Sequence, residues 1–289
     1  MAGRTFRSGR VRLAAFDIDE TIYSKGRVLP ETQAALARLA ASGVHTVVST
    51  GRHAINVPER VRALGSIRYA IGSNGATIRD LMSGETLFHA RFSDAEARTL
   101  LDTLLAITDR VHVDYCDSVR VTRRTFDELI PFYSHDMANP EQLRARYSVF
   151  DDPRAILDDG PGDVVKLAIR LETNAERLAV REELSRRFPV EIVLTSPDFL
   201  EITPKGVTKG TSLHRLCELL GIDPIDTVAF GDSGNDLPSL SAAGFAVVMG
   251  NGTDDIRAIA DYITDTVDNN GVGKAIERFF FDGFDENGI

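Results

Sequence analysis

Two aspartates separated by one residue, Asp17 and Asp19, are the strongest chemical signal in the sequence. They follow an apolar run, Val11 to Phe16, that is typical of a buried β-strand. Residues two apart in an extended chain point to the same side, so both carboxylates are expected to face one small volume at the strand end. Because like charges so close together repel, the pair implies a cation, a shared proton, or both. It therefore predicts a magnesium site for phosphoryl transfer.

Further polar residues stand where a predicted strand ends or a predicted helix begins. They are Thr50, Lys209 and the group Asp232, Asn235 and Asp236. In open α/β sheets, ligands bind at the carboxyl ends of the strands. Magnesium prefers a few carboxylate oxygens together with waters and substrate phosphate. Acids, one lysine and one hydroxyl would hold a phosphoryl group and its metal, and positioning plus charge neutralisation supplies most of the catalysis of phosphoryl transfer.

The apolar pattern predicts an α/β fold, a Rossmann-like doubly wound parallel sheet that is interrupted by an insertion. Strands alternate with helices in the first and last thirds of the chain, which favours parallel pairing. Alternating runs from Arg110 to Tyr115 and from Ser118 to Thr122 predict a hairpin between these two parts. We therefore expect a discontinuous core of residues 1–83 and 204–289 and an inserted α+β domain of residues 84–203, which should sit at the active-site edge of the sheet as a cap.

Composition and charge argue against several classes of function. The 289 residues carry a net charge of -10, whereas a general nucleic-acid-binding protein needs a basic surface. Cys116 and Cys217 have no paired spacing, which predicts neither a disulfide framework nor a zinc site and favours a reducing cytoplasm. No apolar run approaches the ~18 residues of a membrane span, so no membrane partner is expected. The first ten residues, with Arg4, Arg7 and Arg10, are expected to form a short disordered tail.

Taken in order, the motifs resemble those of the haloacid dehalogenase (HAD) superfamily, and most closely its Cof-like, type IIB phosphatases. The matching segments are Asp17 to Thr21 for Asp-x-Asp-x-Thr, Thr50-Gly51-Arg52, Ser73 to Ala76, Lys209, Gly231 to Asp236 for Gly-Asp-x-x-Asn-Asp, and Asn270 to Val272. Each motif alone is weak, but all of them in one order are highly specific. The resemblance covers the chain from about Val11 to Phe280.

The resemblance implies a role for each matched residue. Asp17 would be the nucleophile that forms an aspartyl-phosphate, and its carboxylate would also bind Mg²⁺. Asp19 would protonate the leaving alkoxide, later activate water, and bind the metal through its backbone carbonyl. The other implied roles are Asp232 and Asp236 in metal binding, Thr50 and Lys209 at the phosphoryl oxygens, and Thr21, Arg52, Asn74, Gly75 and Asn235 near the substrate. The implied activity is Mg²⁺-dependent hydrolysis of a phosphomonoester of a sugar or similar small metabolite.

Two other functions are compatible with the same residues. A phosphomutase would share the site but would return the phosphate to its substrate. A regulator that only binds a phosphorylated ligand would keep the fold. The intact acids and lysine argue against a regulator, because a site that no longer catalyses a reaction should have lost at least one of them. A monomer and a homodimer are both compatible with the sequence.

Several side chains near the motifs have more than one interpretation. Arg52 is suited equally to a structural salt bridge and to a substrate contact. Glu20 occupies a position that is commonly glycine or another small or polar residue in the family, which puts the width of the adjacent opening in question. In the insertion, a solvated face or packing on the hairpin is favoured over a substrate contact for Tyr115, Arg120, Arg123, Arg124 and Lys166.

Overall fold

An eight-stranded sheet lies at the centre of the larger part of the chain. The computed structural model of the protein describes residues 4–6, 8–133, 144–158, 162–195 and 198–282. Numbered along the chain, the strands of this sheet are β1 (Leu13–Phe16), β2 (His45–Ser49), β3 (Tyr69–Gly72), β4 (Thr77–Asp80), β5 (Thr86–His89), β12 (Thr227–Gly231), β13 (Phe245–Val248) and β14 (Tyr262–Ile263). Their spatial order is β14-β13-β12-β1-β2-β3-β4-β5.

The first six strands in that order are parallel, and β4 and β5 add an antiparallel edge. Helices cover both faces of the sheet: α1 (Pro30–Ala41), α2 (Glu59–Arg62), α6 (Lys209–Leu220), α7 (Leu237–Ala242), α8 (Asp254–Arg257) and α9 (Gly271–Ile276). In β1, Ala14 and Phe16 pack on the side of α1 and α9, whereas Leu13 and Ala15 pack on the side of α6. A strand that is buried on both faces is apolar throughout, which is why the run before Asp17 contains no alternation. The parallel, doubly wound core is thus confirmed.

The middle of the chain forms a second sheet of six strands. They are β6 (Val111–Tyr115), β7 (Val119–Thr122), β8 (Tyr147–Phe150), β9 (Val164–Arg170), β10 (Val190–Thr195) and β11 (Phe199–Pro204), in the order β10-β11-β9-β6-β7-β8. Among its described residues, three helices accompany the sheet: α3 (Asp94–Leu105), α4 (Arg123–Tyr133) and α5 (Asn174–Arg187). The antiparallel pair β6 and β7 is the predicted hairpin. We call this sheet with its helices the cap.

The two faces of the cap sheet differ sharply in polarity. Apolar residues such as Val113 and Leu167 pack against α3 and α5. Their neighbours along the strands, Asp114 and Lys166, point to the other face, which lies against loops of the core. The charged face of the cap therefore covers the carboxyl ends of the central parallel strands.

Strand β5 belongs to the core sheet, and this affects the predicted boundary between the core and the insertion. A boundary at residue 84 would place Thr86–His89 in the insertion, but these residues pair with β4 in the core sheet. The backbone amide of Ala90 also donates to the carbonyl of Ala76 in the core, at 2.9 Å. We therefore place the start of the cap after residue 89. Within the described ranges, no helix combines the length and the apolar character needed to cross a bilayer.

The expected disordered tail is wrong for the described part of the first ten residues. Phe6 is 1% exposed and packs edge to face on Phe245, with ring centroids 5.1 Å apart. Arg4 forms an ion pair with Asp261 at 2.7 Å. Residues 1–3 and Arg7 lie outside the described residues. One aromatic side chain in a polar segment is enough to anchor the segment, because burying an aromatic ring is strongly favourable.

We expect Phe6→Ala to lower the free energy of unfolding by about 3 kcal/mol, because it leaves a cavity among packed aromatic rings. The urea midpoint of unfolding measures this effect. Arg10→Ala is the control from the same segment; since Arg10 is exposed and its ion pair with Asp226 is long, at 3.3 Å, a change below about 0.5 kcal/mol is expected. Equal midpoints for the two variants would show that Phe6 does not anchor the segment.

Candidate active site

Three neighbouring strands deliver the first group of polar side chains. Because β12, β1 and β2 are adjacent and parallel, their carboxyl ends lie at one edge of the sheet. Asp17, Thr50 and Asp232 are the residues that directly follow these strands. Backbone hydrogen bonds between neighbouring strands continue at these residues. The amide of Asp17 donates to the carbonyl of Phe230 at 3.0 Å, and the amide of Thr50 donates to the carbonyl of Ile71 at 2.9 Å. The strand ends thus bring the predicted residues together.

Lys209 is the centre of the cluster. It is the first residue of α6 and is fully buried, and its Nζ donates to Asp17 Oδ1 and to Asp236 Oδ1, both at 2.7 Å. Burial alone would lower the pKa of Lys209, but the two carboxylates outweigh it and raise the pKa above its ordinary value. The lysine is therefore a fixed positive charge between two acids that are far apart in sequence.

Three carboxylates surround this charge. One oxygen from each of Asp17, Asp232 and Asp236 lies within 4.8 Å of the other two. Burial, followed by the charge of Asp236, raises the pKa of Asp17 well above its ordinary value. The same causes raise the pKa of Asp232 to about 7, although Thr21 Oγ1 donates to its Oδ1 at 2.9 Å. One lysine does not neutralise three crowded acids, so a second cation, a shared proton, or both are needed. A donor set of carboxylate oxygens fits Mg²⁺.

The carboxylate of Asp19 lies outside this cluster. Arg52 Nε and Nη2 donate to its two oxygens at 2.8 and 2.7 Å, which is a bidentate ion pair. The side chain of Asp19 is 49% exposed, whereas that of Arg52 is buried. The structure contains the salt bridge, and both Arg52 and Asp19 line the cavity, so a substrate contact of Arg52 stays a prediction. Metal binding by the backbone carbonyl of Asp19 stays a prediction.

The residues that were predicted to lie near the substrate differ in whether they line the cavity. Asn235 lines the cavity, and its Oδ1 accepts from Ser233 Oγ at 2.8 Å. Asn74 has a left-handed backbone, with φ of 56°, and its Nδ2 donates to Glu201 Oε2 of the cap at 2.7 Å. Neither Asn74 nor Thr21 lines the cavity. These two residues hold other side chains of the site, and a direct substrate contact stays a prediction for them.

Gly75 serves the packing of the core. A β-carbon at this position would lie 2.2 Å from the carbonyl oxygen of Thr208, and φ is +103°. Only glycine permits the loop to approach the beginning of α6 so closely. Gly75 does not line the cavity but supports the turn from which Lys209 projects, so its predicted place near the substrate is indirect.

Glu20 occupies the left-handed region of the backbone, with φ of 57°. Glycine is favoured in such a conformation, because it has no β-carbon to clash. Asn251 Nδ2 holds the turn by donating to the carbonyl of Glu20 at 2.8 Å. The Glu20 side chain lines the cavity and accepts from Ser24 Oγ at 3.0 Å. The position that is commonly glycine or another small or polar residue in the family therefore carries a carboxylate on the cavity wall.

A cavity of about 490 Å³ lies between the core and the cap. The core contributes the acids and loops described above. The cap contributes His112, Lys166, Leu194, Thr195, Phe199 and Glu201. A molecule bound at the acids would therefore touch both parts of the chain.

Lys166 joins the cap to the core. Its Nζ donates to the backbone carbonyl of Gly51 and to Glu201 Oε1, both at 2.8 Å, and lies 3.1 Å from Asp114 Oδ2. Ser73 Oγ of the core also donates to Asp114 Oδ2, at 2.7 Å. Burial alone would raise the pKa of Asp114, but Lys166, His112 and His53 together outweigh it and hold the pKa well below its usual range. The result is a buried polar network next to the Thr50 loop.

The preference for a solvated or hairpin position is wrong for Lys166, whose side chain is 2% exposed. A charged residue within an otherwise apolar strand was the available signal, since such residues are rarely buried without a partner. For the other four cap residues the preference is confirmed. Arg120 stacks on the ring of Tyr115 at 4.1 Å, and Arg123 and Arg124 are exposed and paired with acids of the cap.

Comparison with known proteins gives a consistent result. A family model described as haloacid dehalogenase-like hydrolase matches residues 14–276. The 5-amino-6-(5-phospho-D-ribitylamino)uracil phosphatase YcsE of Bacillus subtilis is 28% identical over 276 residues, which are 93% of this chain and 96% of the relative. The HMP-PP phosphatase of Cronobacter sakazakii is 30% identical over 243 residues, which are 83% of this chain and 84% of the relative.

The solved structures agree with the sequence relatives. A haloacid dehalogenase-like hydrolase from B. subtilis superposes with a TM-score of 0.80 and 26% identity, covering 92% of this chain and 99% of that one. The family match spans most of the chain, and three strand ends carry Asp17, Thr50 and Asp232, with Lys209 at the start of α6. The chain therefore belongs to the haloacid dehalogenase-like hydrolases, and within them it is a Cof-like phosphatase.

Proposed function

We propose that the protein hydrolyses phosphomonoesters of small metabolites, with Mg²⁺ bound and with Asp17 as the nucleophile. The observation that carries this proposal is the buried Lys209, which holds Asp17 and Asp236 at 2.7 Å beside Asp232. A structural role alone would not require three acids around one lysine at the floor of a cavity, because buried charges are costly unless they are paired. A metal and a phosphoryl group supply the missing partners.

The residues of the core divide the chemistry between them. When bound, Mg²⁺ neutralises charge on the acids and on the phosphoryl oxygens. Asp17 attacks phosphorus, so that a bond forms between its carboxylate oxygen and phosphorus while the ester bond breaks. Lys209 and the Thr50 hydroxyl bind phosphoryl oxygens, and they are already held in place by their neighbours. The first step leaves the phosphate on Asp17.

Asp19 handles the protons. It gives a proton to the leaving oxygen in the first step and takes one from the attacking water in the second, which releases phosphate and restores Asp17. Its position fits this exchange, because its carboxylate faces the cavity and is half exposed. The ion pair with Arg52 fixes the direction of the carboxylate before the substrate binds. Asp19 thus acts in both steps, whereas Asp17 is the nucleophile of the first step only.

The substrate is proposed to be small and phosphorylated, such as a sugar phosphate. A cavity of about 490 Å³ suits a metabolite, and its walls from both core and cap would exclude water from the reacting group. One relative is named for a phosphorylated ribitylaminouracil, which supports the same class of substrate. The two cysteines are free and buried, which agrees with a proposed place in the cytoplasm.

Phosphate release from a panel of sugar and nucleotide monophosphates tests the proposal. We expect release with Mg²⁺ and a loss of at least about 100-fold after treatment with EDTA, since the crowded acids then lack a counter-charge for the phosphoryl group. Calcium at the same concentration serves as the matched cation, because it prefers a larger coordination shell. Release that is unchanged by EDTA would contradict the metal. Isomerised product without free phosphate would indicate a mutase instead.

A further inference from the structure

The positive charges that line the cavity are already paired with acids. Among the described residues, the lysines and arginines of the cavity wall are Lys25, Arg52 and Lys166. Lys25 lies 2.5 Å from Asp268, Arg52 makes its bidentate pair with Asp19, and Lys166 binds Glu201 and Asp114. A second phosphate or a carboxylate on the substrate would therefore have to take a cation away from a protein acid.

In two of these pairs the cation is buried, which makes that exchange costly. The side chains of Arg52 and Lys166 are 6% and 2% exposed. Removing the lysine's charge from Glu201 and Asp114 would leave two uncompensated acids next to the incoming anion. Lys25 is 69% exposed, so water screens its charge and an ion pair there contributes little. None of the three cations is well suited to recognise an anionic leaving group.

The same wall is rich in hydrogen-bond acceptors. Glu20 and Glu201 both line the cavity, and a carboxylate oxygen that already accepts one hydrogen bond has a further lone pair. The Nε2 of His112 lies 2.6 Å from Asp114 Oδ1, so Nε2 is the donor, and in the neutral imidazole Nδ1 is then an acceptor. Within the described part of the chain, Nδ1 of His112 makes no hydrogen bond of its own. Acceptors of this kind bind hydroxyl and ammonium groups.

Apolar side chains complete the wall. Tyr23, Leu194 and Phe199 line the cavity beside the acceptors. A surface that combines acceptors with apolar groups complements a carbon chain that carries hydroxyls, because its polar and apolar sides can both be matched. Resting on the proposed hydrolase, we infer that the leaving group is a polyol, sugar or amino sugar that carries no second phosphate and no carboxylate.

A matched pair of ligands tests this inference. D-Glucitol 6-phosphate and 6-phospho-D-gluconate differ only in a hydroxymethyl group against a carboxylate at the far end. Each is tested as an inhibitor of p-nitrophenyl phosphate hydrolysis with Mg²⁺ present, so that the result does not depend on its own turnover. We expect the inhibition constant of glucitol 6-phosphate to be at least about 20-fold lower, because like charges placed together in a cavity repel strongly.

A variant that removes one negative charge from the cavity wall tests whether that wall causes the difference between the two inhibition constants. In Glu20→Gln protein one carboxylate of the wall is neutral, so the ratio of the two inhibition constants is expected to fall about fivefold. Glu182→Gln is the control: Glu182 lies on α5, is exposed and is remote from the cavity lining, so it removes the same charge without changing the ratio. Glucosamine 6-phosphate, which adds an ammonium group, is expected to bind at least as well as glucose 6-phosphate.

Equal inhibition constants, or tighter binding of the gluconate, would overturn the inference. Failure of all four sugar and polyol phosphates to inhibit would overturn it as well. If the gluconate binds tightly only while Lys25 is present, as shown by Lys25→Gln, then Lys25 is an anion site and the inference is wrong. Absence of p-nitrophenyl phosphate hydrolysis in folded protein would instead contradict the proposed hydrolase itself.

Discussion

The rate of phosphate release is expected to fall at least about 10⁴-fold in kcat in the Asp17→Asn protein, because an amide does not attack phosphorus to form the covalent intermediate of the proposed mechanism. Asp17 is buried at the end of β1, and Lys209 directs one of its oxygens at 2.7 Å. No other described carboxylate has the same place on that strand end. The initial rate with saturating Mg²⁺ and the best substrate of the panel gives the comparison.

The thermal stability of the Asp17→Asn protein is the control for this experiment, because it shows whether the variant is still folded. An amide in place of a carboxylate removes one of three crowded acids, and Lys209 keeps Asp236 as its partner. Since burial and Asp236 raise the pKa of Asp17, its charged form is disfavoured in the metal-free protein. We therefore expect a melting temperature equal to or above that of the natural protein. Turnover within tenfold of the natural protein would show that Asp17 is not the nucleophile.

Lys166→Met is expected to lower the free energy of unfolding by about 3–5 kcal/mol, because it leaves Asp114 and Glu201 as buried acids without their shared cation. The change also removes the hydrogen bond to the carbonyl of Gly51, which holds the cap against the Thr50 loop. Urea unfolding measures the first effect. A rise in KM that exceeds the fall in kcat would report the second.

The matched control is Lys205→Met, which removes an equal charge at the surface. Lys205 is 67% exposed and lies 2.9 Å from Glu191. Such an exposed pair contributes at most about 1 kcal/mol, so only a small shift of the midpoint is expected. If the two variants were equally stable, the network of Lys166 would not be the contact that holds the cap.

The central part of the fold and of the site follows from local sequence. A strand that ends in polar residues places them at the edge where parallel strands end, whatever lies between them in the chain. That rule alone brings Asp17, Thr50 and Asp232 together, and the helix after Thr208 adds Lys209. The pattern is readable because each of these side chains depends only on where its own element stops.

Other features depend on what packs against a strand or helix, and the amino-acid sequence alone does not give this information. Lys166 alternates with apolar residues, so it must lie on the opposite face of β9, but water and a second domain would produce the same alternation. For the same reason, the sequence did not show whether Arg52 forms a salt bridge or contacts the substrate. The edge strand β5 is short and half-buried, and its partner strand is chosen by tertiary contacts.

The place of β1 in the middle of the sheet has a consequence for synthesis on the ribosome. One of its neighbours, β2, begins at His45, but the other, β12, begins only at Thr227, after the whole cap has been made. Until then, one edge of β1 has no partner strand, and exposed apolar edges are sites of aggregation. The cap can complete its own sheet first, with β11 ending at Pro204. The acids of the active site therefore meet only when the last quarter of the chain emerges.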